Sequence, residues 1–274
     1  MGVSDMEIAV EWAALEGWNP GIDDAEKFRT IDPDAFLVGR IGDDPAAVIS
    51  NVRYDSTFSF LGFYIVRPDF RGQGYGLKIW NAAIQLAGNR TIGLDGVVDQ
   101  QSNYKKSGFD LAYRNIRQEG KVLADAQRGS SLVPLENLPF AAIEKLDRPF
   151  FPAGRQPFLH SWIQPAHGTA LAAIDSRGDL TGYGVIRQCR NGWKIGPLFA
   201  TISTDAERLF VGLQSGIPSG ARLFLDTPEI NKEALALAAR YQMNPVFETA
   251  RMYRGEAPTL DLNGIFGVTS FELG

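Results

Sequence analysis

Apolar positions between Ile8 and Leu15 fall at helical spacing, and after the turn EGWNPG, Glu16 to Gly21, a second amphipathic stretch runs to Phe28. The chain is therefore predicted to open on helices. Phe36 to Arg40, Ala46 to Tyr54 and Phe58 to Val66 alternate or run apolar between turn residues, as antiparallel strands do. A helix is expected from about Tyr75, with Leu77, Trp80, Ile84 and Ala87 on one core-facing side and Gly88 and Asn89 ending it. Ile92 to Val98 reads as a strand, Asn103 to Phe109 as a short helix, and Phe109 to Arg117 as another strand.

The polar stretch Gln118 to Ser131 is the predicted boundary between two units, 1–128 and 129–274. Beyond it the order of elements recurs. Helices are expected at Phe140 to Leu146 and Phe158 to Trp162, and strands at Ala170 to Ile174, Gly182 to Arg187 and Trp193 to Phe199. A helix over Thr204 to Leu213, a strand over Arg222 to Leu225 and a helix over Glu229 to Tyr241 follow. NPVFETARMYR, Asn244 to Arg254, then stands where GFDLAYRNIR stood in the first unit. The apolar GIFGVTSFELG, Gly264 to Gly274, is expected to be a strand closing a sheet where the units meet.

Composition narrows the chemistry. A length of 274 residues suits two compact units, and 45% hydrophobic with 22% charged residues is ordinary for a globular protein. No apolar run approaches membrane-spanning length, so no membrane partner is expected. A net charge of −5 without a dense Lys/Arg cluster argues against a nucleic-acid partner and mildly favours a cationic substrate. With Cys189 the lone cysteine there is no internal disulfide, the first residues lack a signal-peptide pattern, and a cytoplasmic setting follows as an expectation. His160 and His167 are too few and too isolated to predict a metal site.

The informative motif is VRPDFRGQGYG, Val66 to Gly76, where a strand hands over to a helix. Gly72, Gly74 and Gly76 admit backbone conformations that let successive N–H groups converge on one anion, and the helix adds its own unpaired donors. No GK[ST] follows, and no early βαβ unit precedes, so neither the Walker nor the dinucleotide pattern applies. The spacing of Arg71, Gly74 and Gly76 resembles the acyl-coenzyme A loop of the GNAT N-acetyltransferase superfamily. NYKKSGF, Asn103 to Phe109, resembles a second motif of that family and carries its tyrosine. The second unit has IGPLFATIST at the equivalent strand exit, with no arginine and a single glycine. The whole is similar to tandem GNAT proteins with one catalytic and one degenerate half.

That resemblance implies an α/β (α+β) fold of two GNAT-like units, each a mixed, mostly antiparallel sheet flanked by helices. It also implies acetyl-CoA as co-substrate, with no metal. Main-chain groups of Phe63, Ile65 and Val66 would hold the pantetheine, and the N–H groups of Arg71, Gly72, Gln73, Gly74, Tyr75 and Gly76 the pyrophosphate. The Arg71 side chain either joins them or spans the turn. Asn103 would touch the cofactor arm or cap the helix. Tyr104 is the candidate proton donor to the leaving thiolate, against a purely packed role. Asp99 is the base to test first, with Asp95 and Glu16 as alternatives. Glu16, Trp18 and Asn19 could wall an acceptor pocket, and Asp226, Arg187, Arg251 and Tyr253 are the second unit's polar candidates. The implied activity is transfer of an acetyl group from acetyl-CoA directly to a primary amine of a small molecule. The alternative is a non-catalytic coenzyme A or acyl-CoA binding or sensor module.

Overall fold

In the computed structural model, which describes residues 1–129 and 131–274, the chain enters α1 (Val3–Leu15) with no strand before it. Met6, Ala9, Val10 and Ala13 bury one stripe of that helix. The first half continues with α2 (Asp24–Phe28), β1 (Phe36–Ile41), β2 (Asp44–Arg53), β3 (Phe58–Val66), α3 (Tyr75–Ala87), β4 (Thr91–Val97), α4 (Gln101–Lys106) and β5 (Asp110–Lys121). The second half comprises β6 (Leu132–Pro134), α5 (Phe140–Asp147), α6 (Gln156–Trp162), β7 (Gly168–Ile174), β8 (Leu180–Gln188), β9 (Trp193–Ala200), α7 (Ser203–Leu213), β10 (Arg222–Pro228), α8 (Lys232–Arg240), β11 (Asn244–Arg254) and β12 (Ile265–Gly267).

All these strands belong to one sheet, ordered β1-β2-β3-β4-β11-β5-β10-β9-β8-β7-β6, with β12 paired to β9. The two halves exchange their late strands. β11 of the second half lies between β4 and β5 of the first, antiparallel to both, while β5 pairs antiparallel with β10. The two segments that the repeat sets in equivalent places are thus hydrogen-bonded to each other. Pairing is antiparallel everywhere except β3 with β4 and β9 with β10.

The β3–β4 pair holds for four positions only, from Phe58↔Thr91 to Leu61↔Leu94. Beyond Leu61 the strands part. A register shift in the β2–β3 ladder between Val48 and Ser50, and a left-handed Phe63 with φ 51°, bend β3 at that point. Gly62–Val66 and Asp95–Val97 are left facing one another across an open wedge, and α3 starts at its wide end.

One core lies under α3 (Ile79, Trp80, Ala83, Leu94, Met252) and another under α7 and α8 (Leu209, Phe210, Leu213, Leu237). A third joins the halves: Met6, Phe28, Phe36 and Phe63 pack with Phe158, Trp162, Val185 and Leu273. Three expectations change. Leu77, placed on the core face by periodicity, is 63% exposed, and Ile79 and Ala83 take the interior instead. β5 runs on to Lys121, four residues into the polar stretch chosen as the boundary, in which Ser130 lies outside the described residues. The tail from Gly264 forms a strand only over Ile265–Gly267; residues 268–274 continue as irregular but buried chain between the halves. There Tyr54 Oη donates to the Leu273 carbonyl at 2.7 Å.

No helix among the described residues is long and apolar enough to cross a membrane. Among the same residues no group of three or more His, Cys, Asp or Glu side chains could hold a metal ion.

Candidate active site

β3 ends at Val66, Pro68–Phe70 form one tight turn, and the chain then passes through Gly72 (φ 74°) and Gly74 (φ 82°) before α3 begins. Both glycines hold the left-handed conformation that other L-residues resist. Nothing lies within 4 Å of a Cβ built on either, so backbone shape and not packing demands glycine there. At Gly76 packing decides: a Cβ would come within 2.7 Å of Tyr64 Oη. Among the described residues the amides of Gly72, Gln73, Gly74, Tyr75, Gly76 and Leu77 have no hydrogen-bond acceptor. They form a run of free donors at the positive end of a 13-residue helix.

Side chains of the loop are committed elsewhere. Arg71 Nε donates to the Val66 carbonyl at 2.8 Å and its guanidinium pairs with Glu16, so it spans the turn. Gln73 Nε2 donates to the Asp69 carbonyl at 2.8 Å, and the Tyr75 ring packs on Phe70. Their main chain is left for the cradle except at Arg71, whose N–H, expected on the pyrophosphate, donates to the Pro68 carbonyl at 3.1 Å as part of the tight turn.

The wedge opens into a cavity of about 680 Å³. One wall is Gly62 to Val66 of β3, and the other is Leu94 to Val97 of β4 with Tyr104 behind it. α4 lays the Tyr104 ring against Trp80, with centroids 5.6 Å apart and planes 22° apart, and over Gly96, where any Cβ would collide with it. The Tyr104 hydroxyl has no hydrogen-bond partner among the described residues, and burial pushes its pKa well above the ordinary phenol value. It stays protonated. Asp99, exposed, and Leu77 stand on the rim of the cavity.

Other sequence-selected residues separate into two groups. Glu16 and Trp18 line the cavity, as do Phe63, Ile65 and Val66. Asn103, Asn19 and Asp226 do not. Asn103 Nδ2 bonds Gln100 Oε1 at 2.8 Å within its own exposed turn. Asn19 is tied to Asn191 by two hydrogen bonds of 2.9 Å, fixing the first half to a turn of the second. Asp226, 1% exposed, is held bidentately by Arg117 at 2.7 and 2.8 Å, so its carboxylate is an internal counter-ion and not an acceptor-pocket group. Asp95 does line the cavity, but Arg251 takes both its oxygens at 2.7 and 2.6 Å and Asn115 adds a third bond. Arg187 is spent on Asp24.

The second half supplies wall residues that belong to no motif in the sequence. Phe247 and Thr249 of β11 and Phe271 and Glu272 of the tail line the cavity, Thr249 in register with Val97 of β4 and Glu272 against Gly62 of β3. Thr249 Oγ1 and Glu272 Oε1 are buried without hydrogen-bond partners. The one available signal was a glutamate standing inside the apolar run GIFGVTSFELG.

A splayed strand pair, a run of free amides and a protonated tyrosine, repeated in outline by a second half, define two GNAT units in tandem. Residues 6–109 match the Acetyltransferase (GNAT) family and residues 143–267 the Acetyltransferase (GNAT) domain. The holothin acyltransferase of Pseudoalteromonas sp. (strain SANK 73390) is 31% identical over 274 residues, 99% of this chain and 92% of that protein. Among solved structures, a putative acetyltransferase from Pyrococcus horikoshii aligns with a TM-score of 0.83 at 21% identity, covering 100% of this chain and 94% of that one. A tandem GNAT protein from the clavulanic acid biosynthesis pathway aligns at 0.63 and 15% identity, covering 94% and 98%. The chain belongs to the GNAT acyltransferase family and is an acyltransferase. That family draws its acyl group from an acyl-coenzyme A, and the free amides beside an open cradle at Gly72 and Gly74 fit the diphosphate of such a donor.

Proposed function

We propose that the protein is an acetyl-CoA-dependent N-acetyltransferase that acylates a primary amine of a small molecule by direct transfer. The wedge between β3 and β4, ending on unpartnered amides with a protonated Tyr104 on its wall, carries this reading. Coenzyme A supplies the thioester. Main-chain groups of Phe63, Ile65 and Val66 would hold its arm, and the amides from Gly72 to Gly76 its diphosphate. Residues 1–128 thus carry the donor. Residues 129–274 complete the acceptor end through Phe247, Thr249, Phe271 and Glu272.

As the amine nitrogen attacks the acyl carbon, the new C–N bond forms and the C–S bond breaks, and the sulfur leaves with the electron pair. Tyr104 donates its proton to that sulfur. Asp99 is placed to meet charge only at the rim. Four carboxylates line the cavity; Arg71 offsets Glu16 and Arg251 offsets Asp95, and the two left over, Asp99 and Glu272, favour a substrate that arrives as an ammonium ion. The Pseudoalteromonas relative takes its name from one compound, holothin, which favours a small acceptor. A cytoplasmic setting fits a donor drawn from the cell's coenzyme A.

Thermal shift with acetyl-CoA, followed by a thiol-release assay over polyamines, amino acids, aminoglycosides and N-terminal peptides, tests the reading. Release with at least one small amine is expected. Release only with longer acyl-CoA donors, or only with peptides, would overturn the acetyl or the small-molecule part.

A further inference from the structure

The amine needs somewhere to leave its proton, and the acids nearest the cofactor loop are engaged. Asp95 is bound by Arg251 and Asn115, Glu16 is paired with Arg71, and Asp99 is solvated at the rim. Glu272 is different. It lies at the narrow end of the wedge, where β3 and β4 part, with 3% of the residue exposed. Its Oε1 is buried without a partner, and the residue makes no ion pair among those described. Its main chain is seated on β3 at Gly62, where a Cβ would collide with the Glu272 carbonyl. The glycine is what lets the tail reach the strand bend.

The surrounding cations are occupied by other groups. Lys194 on β9 donates to the Asn19 carbonyl at 2.9 Å, Arg117 on β5 holds Asp226, and Arg187 on β8 holds Asp24 of α2. Burial raises the Glu272 pKa above the ordinary carboxylate value; Asp24 adds to the rise, and Lys194 and Arg117 oppose it without reversing it. A carboxyl shifted in that sense is better matched to accepting a proton near neutral pH.

The geometry points to Glu272, contributed by the second half, as the general base that takes the proton of the acceptor ammonium in the first half's cleft. This rests on the amine-acylation reading above. The ammonium gives one proton to the Glu272 carboxylate, and the free amine attacks the thioester. The C–N bond forms as the C–S bond breaks, the sulfur takes the Tyr104 proton, and the second proton of the new amide nitrogen restores Tyr104. Glu272 then releases its proton to water through the cavity mouth.

The test compares wild type with Glu272→Gln, using acetyl-CoA and the best amine of the panel. Acetyl-CoA affinity, measured by calorimetry, is expected to be unchanged, while kcat/KM falls about 10²- to 10⁴-fold. The acid limb of the wild-type pH profile should disappear in the variant. Glu272→Ala supplies a second arm, in which added formate is expected to restore part of the rate. A Glu272→Gln enzyme with the wild-type rate and acid limb overturns the assignment. So does loss of acetyl-CoA binding, which would mark Glu272 as structural. Wild-type protein that binds acetyl-CoA but acetylates no amine would bring down the underlying reading instead.

Discussion

Tyr104 and Glu272 face the same cavity, and burial shifts both upward, with opposite consequences for chemistry. For the phenol the shift secures the proton it must give. Tyr104→Phe keeps the ring that stacks on Trp80, so acetyl-CoA affinity should be unchanged while kcat falls on the order of 10²-fold; steady-state kinetics beside calorimetry would separate the two. For the carboxyl the shift means that its ionised form is disfavoured by folding. An acid whose folded pKa is raised contributes stability below its unfolded pKa, about 4.3 for glutamate, and loses it as pH rises through the folded value. Glu272→Gln should therefore melt at a higher temperature than wild type at pH 8, with the difference vanishing near pH 4. A variant that melts lower at pH 8 would mean the carboxylate holds the tail in place.

At the scale of elements, the loop before α3 draws its function from backbone alone, since its side chains bond Val66, Glu16 and Asp69. Gly74→Val puts a β-branched residue at φ 82° and should cost about 1–2 kcal/mol of stability. Turning the amides out of line should weaken acetyl-CoA binding more than tenfold, read by calorimetry beside a urea melt; undiminished affinity would remove the cradle from the account. This loop was legible in the residues because its meaning is local: glycine spacing, a strand exit and a helix start all lie within eleven positions, Val66 to Gly76. Most strands and helices were legible for the same reason, their periodicity being internal to each. Leu77 misled because helical spacing alone does not say which of two adjoining stripes faces the sheet. Glu272 and Thr249 were invisible as site residues because strand exchange and a tail threaded between the halves bring them there, from more than 170 positions beyond the loop. Asp226 reads in the sequence as a polar group ending a strand, but its partner Arg117 sits on the neighbouring strand in the other half.

That partnership has a counterpart, and the two together organise the molecule. Arg117 lies seven residues past the start of β5 and binds Asp226 of β10; Arg251 lies seven residues past the start of β11 and binds Asp95 of β4. Each bridge joins residues directly opposed in register, and each ties a strand of one half to the sheet of the other. Both pairs are buried, so removing one partner leaves an uncompensated charge in the interior. Asp226→Ala should accordingly cost about 3–5 kcal/mol, more than an exposed ion pair could. Because the bridges, the exchanged strands and the core around Phe28 and Trp162 all cross between the halves, that loss should be felt by the whole chain. Urea unfolding followed through Trp80 in the first half and through Trp193 in the second, each kept as the sole reporter by Phe replacements elsewhere, should give superimposable curves. In Asp226→Ala both curves should shift to lower urea together. Two separated midpoints in the wild-type background would show that the halves are independent folding units, and the exchange of β5 and β11 would then not couple them.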